Sequence, residues 1–261
     1  MNKTKICAAL AVSAAATLGF TGSAHAYTTF FGEDLNNSSS TPLAVTPNAT
    51  AAANSFLSNL IGVGTETFES QTPGAGQPLA LTFPGAGTAT LSGGNGSVSS
   101  VTPGTTNGAG RYSIPSASSS NFWQVTAGGG GNFTITFSQS IAALGFYGID
   151  IGDYGGQLTL GVNGTTQTVN NTIGSNGSTD GSVLFYGLIA AAGEEFTSVS
   201  FNTTTGGGDV FAFDNFTIGT LQQVCTPGTP NCGGNVPEPG SLALAGLALA
   251  GLASLRRRKS V

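Results

Sequence analysis

The chain has 261 residues with seven Lys and Arg, twelve Asp and Glu and one His, and only 7% of it is charged, against roughly 25% in an ordinary soluble domain. The basic residues sit at the ends: Lys3 and Lys5 open the chain, Arg256, Arg257, Arg258 and Lys259 close it, and Arg111 is the only one between. From residue 27 to 236 eleven carboxylates face that one arginine, a net charge of −10 without a lysine or histidine; this excludes a phosphate-gripping nucleic-acid binder and any mechanism that needs a histidine base or a lysine Schiff base.

At the N-terminus Lys3 and Lys5 precede an apolar run from Ile6 to Phe20, and Ala24-His25-Ala26 supplies small residues around a cleavage point. That order predicts a secretory signal peptide over residues 1–26, with Tyr27 as the first mature residue. His25 leaves with it. Thr46-Pro47-Asn48 then gives a stop and a cap, and Ala52, Phe56 and Leu60 stand four apart, so a helix is expected over Ala49 to Leu60, closing one end of the domain.

Most segments of the rest of the body, to residue 221, alternate with period two. Phe133, Ile135 and Phe137 share one face, as do Leu158, Leu160 and Val162, then Val199 and Phe201, then Phe211 and Phe213. Shorter candidates are Leu79-Leu81-Phe83, Thr88 to Leu91, Gly145 to Ile151 and Val183 to Leu188. Gly93-Gly94-Asn95-Gly96, Asn163-Gly164 and Asn176-Gly177 fall between them, and Asn-Gly flanked by alternating apolar residues signals a hairpin. The 41 glycines follow no Gly-X-Y period, so a collagen is excluded. The expected fold is all-β: an antiparallel, jelly-roll-like sandwich over residues 27–221 with one short helix.

Cys225 and Cys232 bracket a turn-rich hexapeptide and read as a small disulfide loop stiffening a linker at 222–235. Then comes Val236-Pro237-Glu238-Pro239-Gly240, an uncharged stretch from Ser241 to Leu255, and the basic cluster. About 15 apolar residues make a helix of about 22 Å, a marginal single transmembrane span. The four terminal basic residues favour a cytoplasmic end beyond it.

Pro237-Glu238-Pro239, a short apolar helix and an Arg-rich end together resemble the PEP-CTERM sorting signal of Gram-negative bacteria, here residues 236–261. The resemblance implies recognition by exosortase, a membrane-embedded transpeptidase. It also implies export through an inner-membrane intermediate to the cell surface or the medium. The opening Phe30 to Asn36, the Ala-rich helix and Thr65 to Glu69 resemble other bodies found upstream of such signals.

Two places could carry chemistry. Thr67-Phe68-Glu69 near the start and Phe213-Asp214-Asn215-Phe216 near the end resemble the paired segments of jelly-roll carbohydrate-binding and adhesion modules. The resemblance implies a structural calcium ion on Glu69 and Asp214, with Glu66 as a helper; the plainer reading is a turn cap and a solvated edge residue. In Gly145 to Gly156, Tyr147, Asp150, Asp153 and Tyr154 are expected close together as a sugar-binding set, or Asp150 and Asp153 simply organise the turn. Trp123 reads as core. The function expected is a non-catalytic surface or matrix protein associated with exopolysaccharide or biofilm. The rival readings are a carbohydrate-binding module with structural calcium and a carboxylate-pair glycosidase, the one catalytic route needing no histidine.

Overall fold

The structure, a computed structural model, describes residues 27–174 and 178–225. The expected signal peptide, the Asn176-Gly177 turn, Cys232, the Pro237-Glu238-Pro239 segment, the transmembrane helix and the Arg-rich end lie outside the described residues. Among the described residues no helix is long and apolar enough to cross a membrane.

In chain order the elements are β1 (Tyr27–Asp34), α1 (Pro47–Leu57), β2 (Thr65–Glu66), β3 (Leu79–Phe83), β4 (Gly87–Gly93), β5 (Ser97–Ser100) and β6 (Asn121–Ala127). They continue with β7 (Phe133–Ile141), β8 (Ala143–Ile149), β9 (Leu158–Val162), β10 (Thr165–Thr168), β11 (Val183–Ala190), β12 (Phe196–Thr203), β13 (Asp209–Gly219) and a 3-10 turn at Leu221–Gln223. One sheet has the order β1-β11-β8-β13-β6-β5, with β2 also on β13, and the other β10-β9-β12-β7-β4-β3. Every pairing is antiparallel. Neighbours in sequence often lie in opposite sheets, as β12 and β13 do, and the result is the jelly-roll-like sandwich read from the sequence.

Period-two alternation explains the core between the sheets. β7 buries Phe133, Ile135 and Phe137 and turns Thr136 and Ser138 outward. Phe133 meets Phe201 with ring centroids 4.6 Å apart, and Phe146 meets Phe213 at 5.4 Å. Each buried ring is worth roughly 1.5–3 kcal/mol by area, and the rings of Phe133, Phe146, Phe201, Phe213 and Phe216 contact one another across the core.

β8 and β11 behave differently, because all their residues are buried. Leu144, Phe146, Leu184, Tyr186 and Leu188 face the sheet-to-sheet core. Ala143, Tyr147, Ile149, Val183, Phe185 and Ile189 join a second core on the outer face, with Ala49, Ala52, Ala53 and Phe56 of α1. The helix therefore lies on the outer face of the larger sheet instead of closing an end, and it spans Pro47–Leu57. The cause is a pair of glycines. Gly145 and Gly187 oppose each other across the ladder, and a Cβ on either would stand 2.6 Å from the Phe56 ring. Only a bare backbone leaves room for that ring.

Strands β1, β5, β6 and β10 were not among the expected ones. Ser-Val-Ser-Ser and Thr-Thr-Gln-Thr in β5 and β10 lack the alternating apolar residues that mark a strand. The Asn163-Gly164 hairpin between β9 and β10 forms as expected, with φ of +47° and +74° at its two turn residues, the left-handed pair a tight hairpin requires.

The strands also give the sandwich two distinct poles. Tyr27 pairs with Ala190, Ala190 N–H donates to Ala142 O, and Ala142 N–H donates to Gly219 O, which puts both ends of the described chain at one pole. The loops after Asp34, Ile149 and before Val183 and Asp209 gather at the other. The chain stays docked past the expected boundary at 221: Ile61 N–H donates to Gln223 O, Cys225 N–H to Asn59 O, and Cys225 is buried and disulfide-bonded.

Candidate functional site

At the pole away from the chain ends, β8 stops at Ile149 and Asp150 takes a left-handed φ of +65°, a conformation aspartate tolerates through local hydrogen bonding. Its N–H donates to Ser182 O at 2.9 Å, and its Oδ1 accepts from Gly181 N–H at 3.0 Å. Its Oδ2 meets Arg111 Nη1 at 3.2 Å. The same guanidinium donates to Val210 O at 2.9 Å and to Gln124 Oε1 at 3.3 Å. The body's single basic residue thus ties the 101–120 segment to β6, the end of β8 and the start of β13. The turn carrying Asp180 is clamped in turn by Ser38 N–H on Asp180 O and by Tyr112 Oη–H on Gly181 O at 2.8 Å.

Asp150, Asp153 and Asp180 each offer a carboxylate oxygen, and these oxygens lie within 4.8 Å of one another. Asp209, at the start of β13, shares a side-chain hydrogen bond with Asp153. Two carboxyl groups in hydrogen-bond contact need a proton between them or a cation beside them. Burial, then the hydrogen bond and charge of Asp209, pushes the Asp153 carboxyl up to about 7. Burial pushes Asp150 up to about 6, against the pull of the Gly181 N–H and of Arg111.

Oxygen atoms without donors collect in the same corner. Among the described residues six buried side-chain polar atoms have no hydrogen-bond partner, and three of them are Asp153 Oδ1, Tyr154 Oη and Thr179 Oγ1. Thr179 is 2% exposed, and its Oγ1 would stand 3.3 Å from a Cβ on Gly152, between the two aspartates in sequence. Buried polar atoms are almost always satisfied, so a group of unsatisfied oxygens beside four carboxylates suits a hard cation, which takes six to eight oxygen ligands.

The sugar-binding set expected from Tyr147, Asp150, Asp153 and Tyr154 is brought together only in part. Asp150 and Asp153 meet. Tyr147 points to the outer face, packed on Phe185 at 5.2 Å and hydrogen-bonded to Thr50 beneath α1. Tyr154 packs its ring on Phe211 at 5.3 Å. The two rings therefore share no common face: Tyr147 lines a cleft on the outer face, and Tyr154 packs towards the core.

Glu69 and Asp214 do come together, around Ser113. Asp214 is fully buried; its Oδ2 accepts from Ser113 Oγ–H at 2.7 Å and Ile114 N–H at 2.8 Å, and its Oδ1 from Asn215 N–H at 2.7 Å. Burial, with a smaller push from the charge of Glu69, raises its carboxyl to about 8. Glu69 Oε1 accepts from the N–H groups of Ser120 and Asn121. Glu66 Oε1 accepts from Phe68 N–H at 2.7 Å. Both Asp214 oxygens and Glu69 Oε1 are committed to protein donors that pin the 113–121 segment to the sheet, whereas beside Asp150 the oxygens of Asp153, Tyr154 and Thr179 stand without donors. Trp123 is fully buried, as expected.

Sequence reasoning passed over Asp180, Asp209, Thr179 and the role of Arg111. One signal was available. Asp180 precedes Gly181, Asp209 follows Gly208 and Gly152 precedes Asp153, so each of these acids sits beside a residue that lets backbone approach closely.

Residues 235–259 match the model of the PEP-CTERM protein-sorting motif. The chain carries a PEP-CTERM sorting signal. That signal indicates a secreted, exosortase-processed cell-surface protein of Gram-negative bacteria, with a membrane intermediate implied. No curated protein matches the chain. Among solved structures, the chain is similar to the K2 cleaved adhesin domain of Lys-gingipain. The identity is 16% over 60% of this chain and 97% of that one, with a TM-score of 0.35. A family 29 carbohydrate-binding module matches at 14% identity over 77% of this chain and 99% of that one, TM-score 0.27. A module from Cellvibrio mixtus lichenase 5A, solved with cellotriose, matches at 13% identity over 62% and 98%, TM-score 0.23. At such scores the likeness carries no argument about a ligand.

Proposed function

We propose that this is a non-catalytic protein of the cell surface or extracellular matrix, delivered by its PEP-CTERM signal. In this reading its acidic pole binds a calcium ion and, through the ion, anionic exopolysaccharide. The observation that carries the reading is the convergence of Asp150, Asp153 and Asp180 within 4.8 Å beside donor-less oxygens of Asp153, Tyr154 and Thr179. A bound ion would supply the positive charge that this corner otherwise draws from Arg111 alone, and would let an acidic body hold an acidic polymer. A carboxylate-pair glycosidase fits less well, because Asp150 is 3% exposed and both its oxygens are engaged.

The test is terbium luminescence and calorimetric calcium titration of the full chain, against Asp153→Asn and Asp180→Asn. The expected dissociation constant lies in the extracellular range of about 10⁻⁴–10⁻³ M, with binding lost in both variants. Calcium-dependent retention on alginate should follow the same pattern. Wild-type protein that binds no calcium at 10 mM, or variants that bind it unchanged, would refute the assignment.

A further inference from the structure

Separate from the acidic pole, a cleft of about 350 Å³ opens on the outer face of the larger sheet, at the small end of the ~300–1,000 Å³ typical of ligand sites. One wall is the C-terminal half of α1, the other is the Ile114-Pro115 segment, and the floor is β2, β8, β11 and the end of β13. Two side chains that line it are each fixed by one atom and unpartnered at the other, Glu69 exposed and Asn215 with its oxygen buried. Glu69 is held through Oε1 by the Ser120 and Asn121 N–H groups at 2.9 and 2.8 Å, and its Oε2 takes no hydrogen bond from the described residues. Asn215 is held through Nδ2, which donates to Ile114 O at 3.2 Å, while its Oδ1 is buried without a donor.

Asn215 owes its position to the sequence. The register of β13 shifts between Asp214 and Thr217, and Asn215 takes the left-handed φ of +51° at that bulge, which asparagine tolerates and most residues do not. Asp214, buried beneath the 113–121 segment, locks the bulge by accepting its neighbour's N–H at 2.7 Å. The acceptors are therefore set before any ligand arrives, which lowers the cost of binding. The hydroxyl of Thr67 and the apolar edges of Phe185, Ile114 and Leu57 complete the lining. Two fixed acceptors call for a ligand with adjacent donors, and the apolar walls call for a C–H face.

We propose that this cleft binds one pyranose sugar residue, two of whose neighbouring hydroxyls donate to Glu69 Oε2 and Asn215 Oδ1. It would give the protein a second contact with polysaccharide, chemically unlike the cation-mediated one and independent of it. A simple amine is the rival donor; it would satisfy Glu69 but leave the apolar walls and Asn215 unused.

Saturation-transfer NMR on the full chain in detergent tests this, with glucose, galactose, mannose, glucosamine and N-acetylglucosamine as probes and putrescine as the amine. At least one sugar should show transfer. Glu69→Gln keeps an oxygen for the Ser120 and Asn121 donors and turns the open acceptor into a donor. Asn215→Gly keeps the backbone conformation and removes Oδ1. Each should weaken binding roughly ten- to hundred-fold, the effect of losing one hydrogen bond that involves a charged or buried group, with the melting temperature recorded as a control for folding. Thr67→Val, at an exposed position, supplies a third variant that leaves the sheet intact and should weaken binding less. Asp180→Asn should leave the sugar signal intact while abolishing calcium binding, so the two proposals fail separately. Transfer to none of the sugars, to putrescine alone, or undiminished transfer in folded Glu69→Gln and Asn215→Gly would overturn the proposal.

Discussion

Replacing Arg111 by methionine removes the one positive charge from the acidic pole while keeping a side chain of similar length. Three contacts vanish together: 3.2 Å to Asp150, 2.9 Å to Val210 O and 3.3 Å to Gln124. The side chains of Arg111 and Asp150 are only 15% and 4% exposed. Breaking a buried pair from one side costs about 3–5 kcal/mol. Arg111 keeps an edge in solvent, and Asp150 can take up a proton once its partner is gone, so the lower end, about 3 kcal/mol, applies. In a domain of this size about 1 kcal/mol moves the melting temperature by roughly 2–4 °C, so a fall of roughly 6–12 °C is expected. Thermal unfolding followed by far-ultraviolet circular dichroism reads it directly. Calcium at 10 mM, with a dissociation constant near 1 mM, stabilises the wild type by about 1.4 kcal/mol. It should recover more in the variant, where repulsion among the carboxylates is unrelieved. A drop under about 2 °C, the size an exposed pair produces, would show that Arg111 is a surface ornament and sink the account of this pole.

Phe56→Ala empties the pocket above Gly145 and Gly187 and should cost about 3–5 kcal/mol in urea unfolding; a cost under about 1 kcal/mol would mean the helix does not pack there. Gly187→Ala places a Cβ 2.6 Å from that ring and should cost about 1–3 kcal/mol by overpacking, a loss that pairing it with Phe56→Ala relieves. The Asp214 carboxyl titrates near 3.8 when unfolded and near 8 when folded, so the folded state holds the extra proton and its stability falls as pH rises between those values. The slope is at most about 1.4 kcal/mol per pH unit for one group, and Asp214→Asn should flatten the upper part of that profile, between pH 7 and 8. Asn163→Ala puts a Cβ-bearing residue without a local hydrogen bond at φ +47° and should cost about 1–2 kcal/mol. Asn163→Gly should cost less, and equal losses would contradict a turn-based origin.

What could be read in advance follows from how local the physics is. The Phe133–Phe137 alternation and the Asn163-Gly164 turn are set by neighbouring residues, so strand β7, strand β9 and the turn that follows it were visible. The position of α1 was not, because it depends on Gly145 and Gly187 opposing each other across two strands distant in sequence. Likewise Asp150 and Asp153 stood out in one glycine-rich stretch, whereas Asp180 and Asp209 join them only through the β8–β11 and β8–β13 registers. Glu69 and Asp214 were singled out as a pair and do meet at Ser113, but which donors would occupy their oxygens depends on the 113–121 segment folding over them. Tyr147 and Tyr154 differ by seven in sequence, yet one follows the strand to the outer face and the other enters the core after the turn.

Both described chain ends leave the sandwich at one pole, and Asp150, Asp153, Asp180 and Asp209 stand at the other, about 20–25 Å away along the seven residues of β8. Copies attached to a surface through the segment beyond Cys225 would stand as posts of equal height, their acidic tips lying in a single plane. In such an array, if the proposed calcium sites hold, a polymer strand laid across the tips would meet many weak cation-bridged contacts at once. Its hold then depends on the spacing of the posts as much as on the strength of any one contact. Adhesion would become a property of the layer, adjustable by how densely the cell plants it.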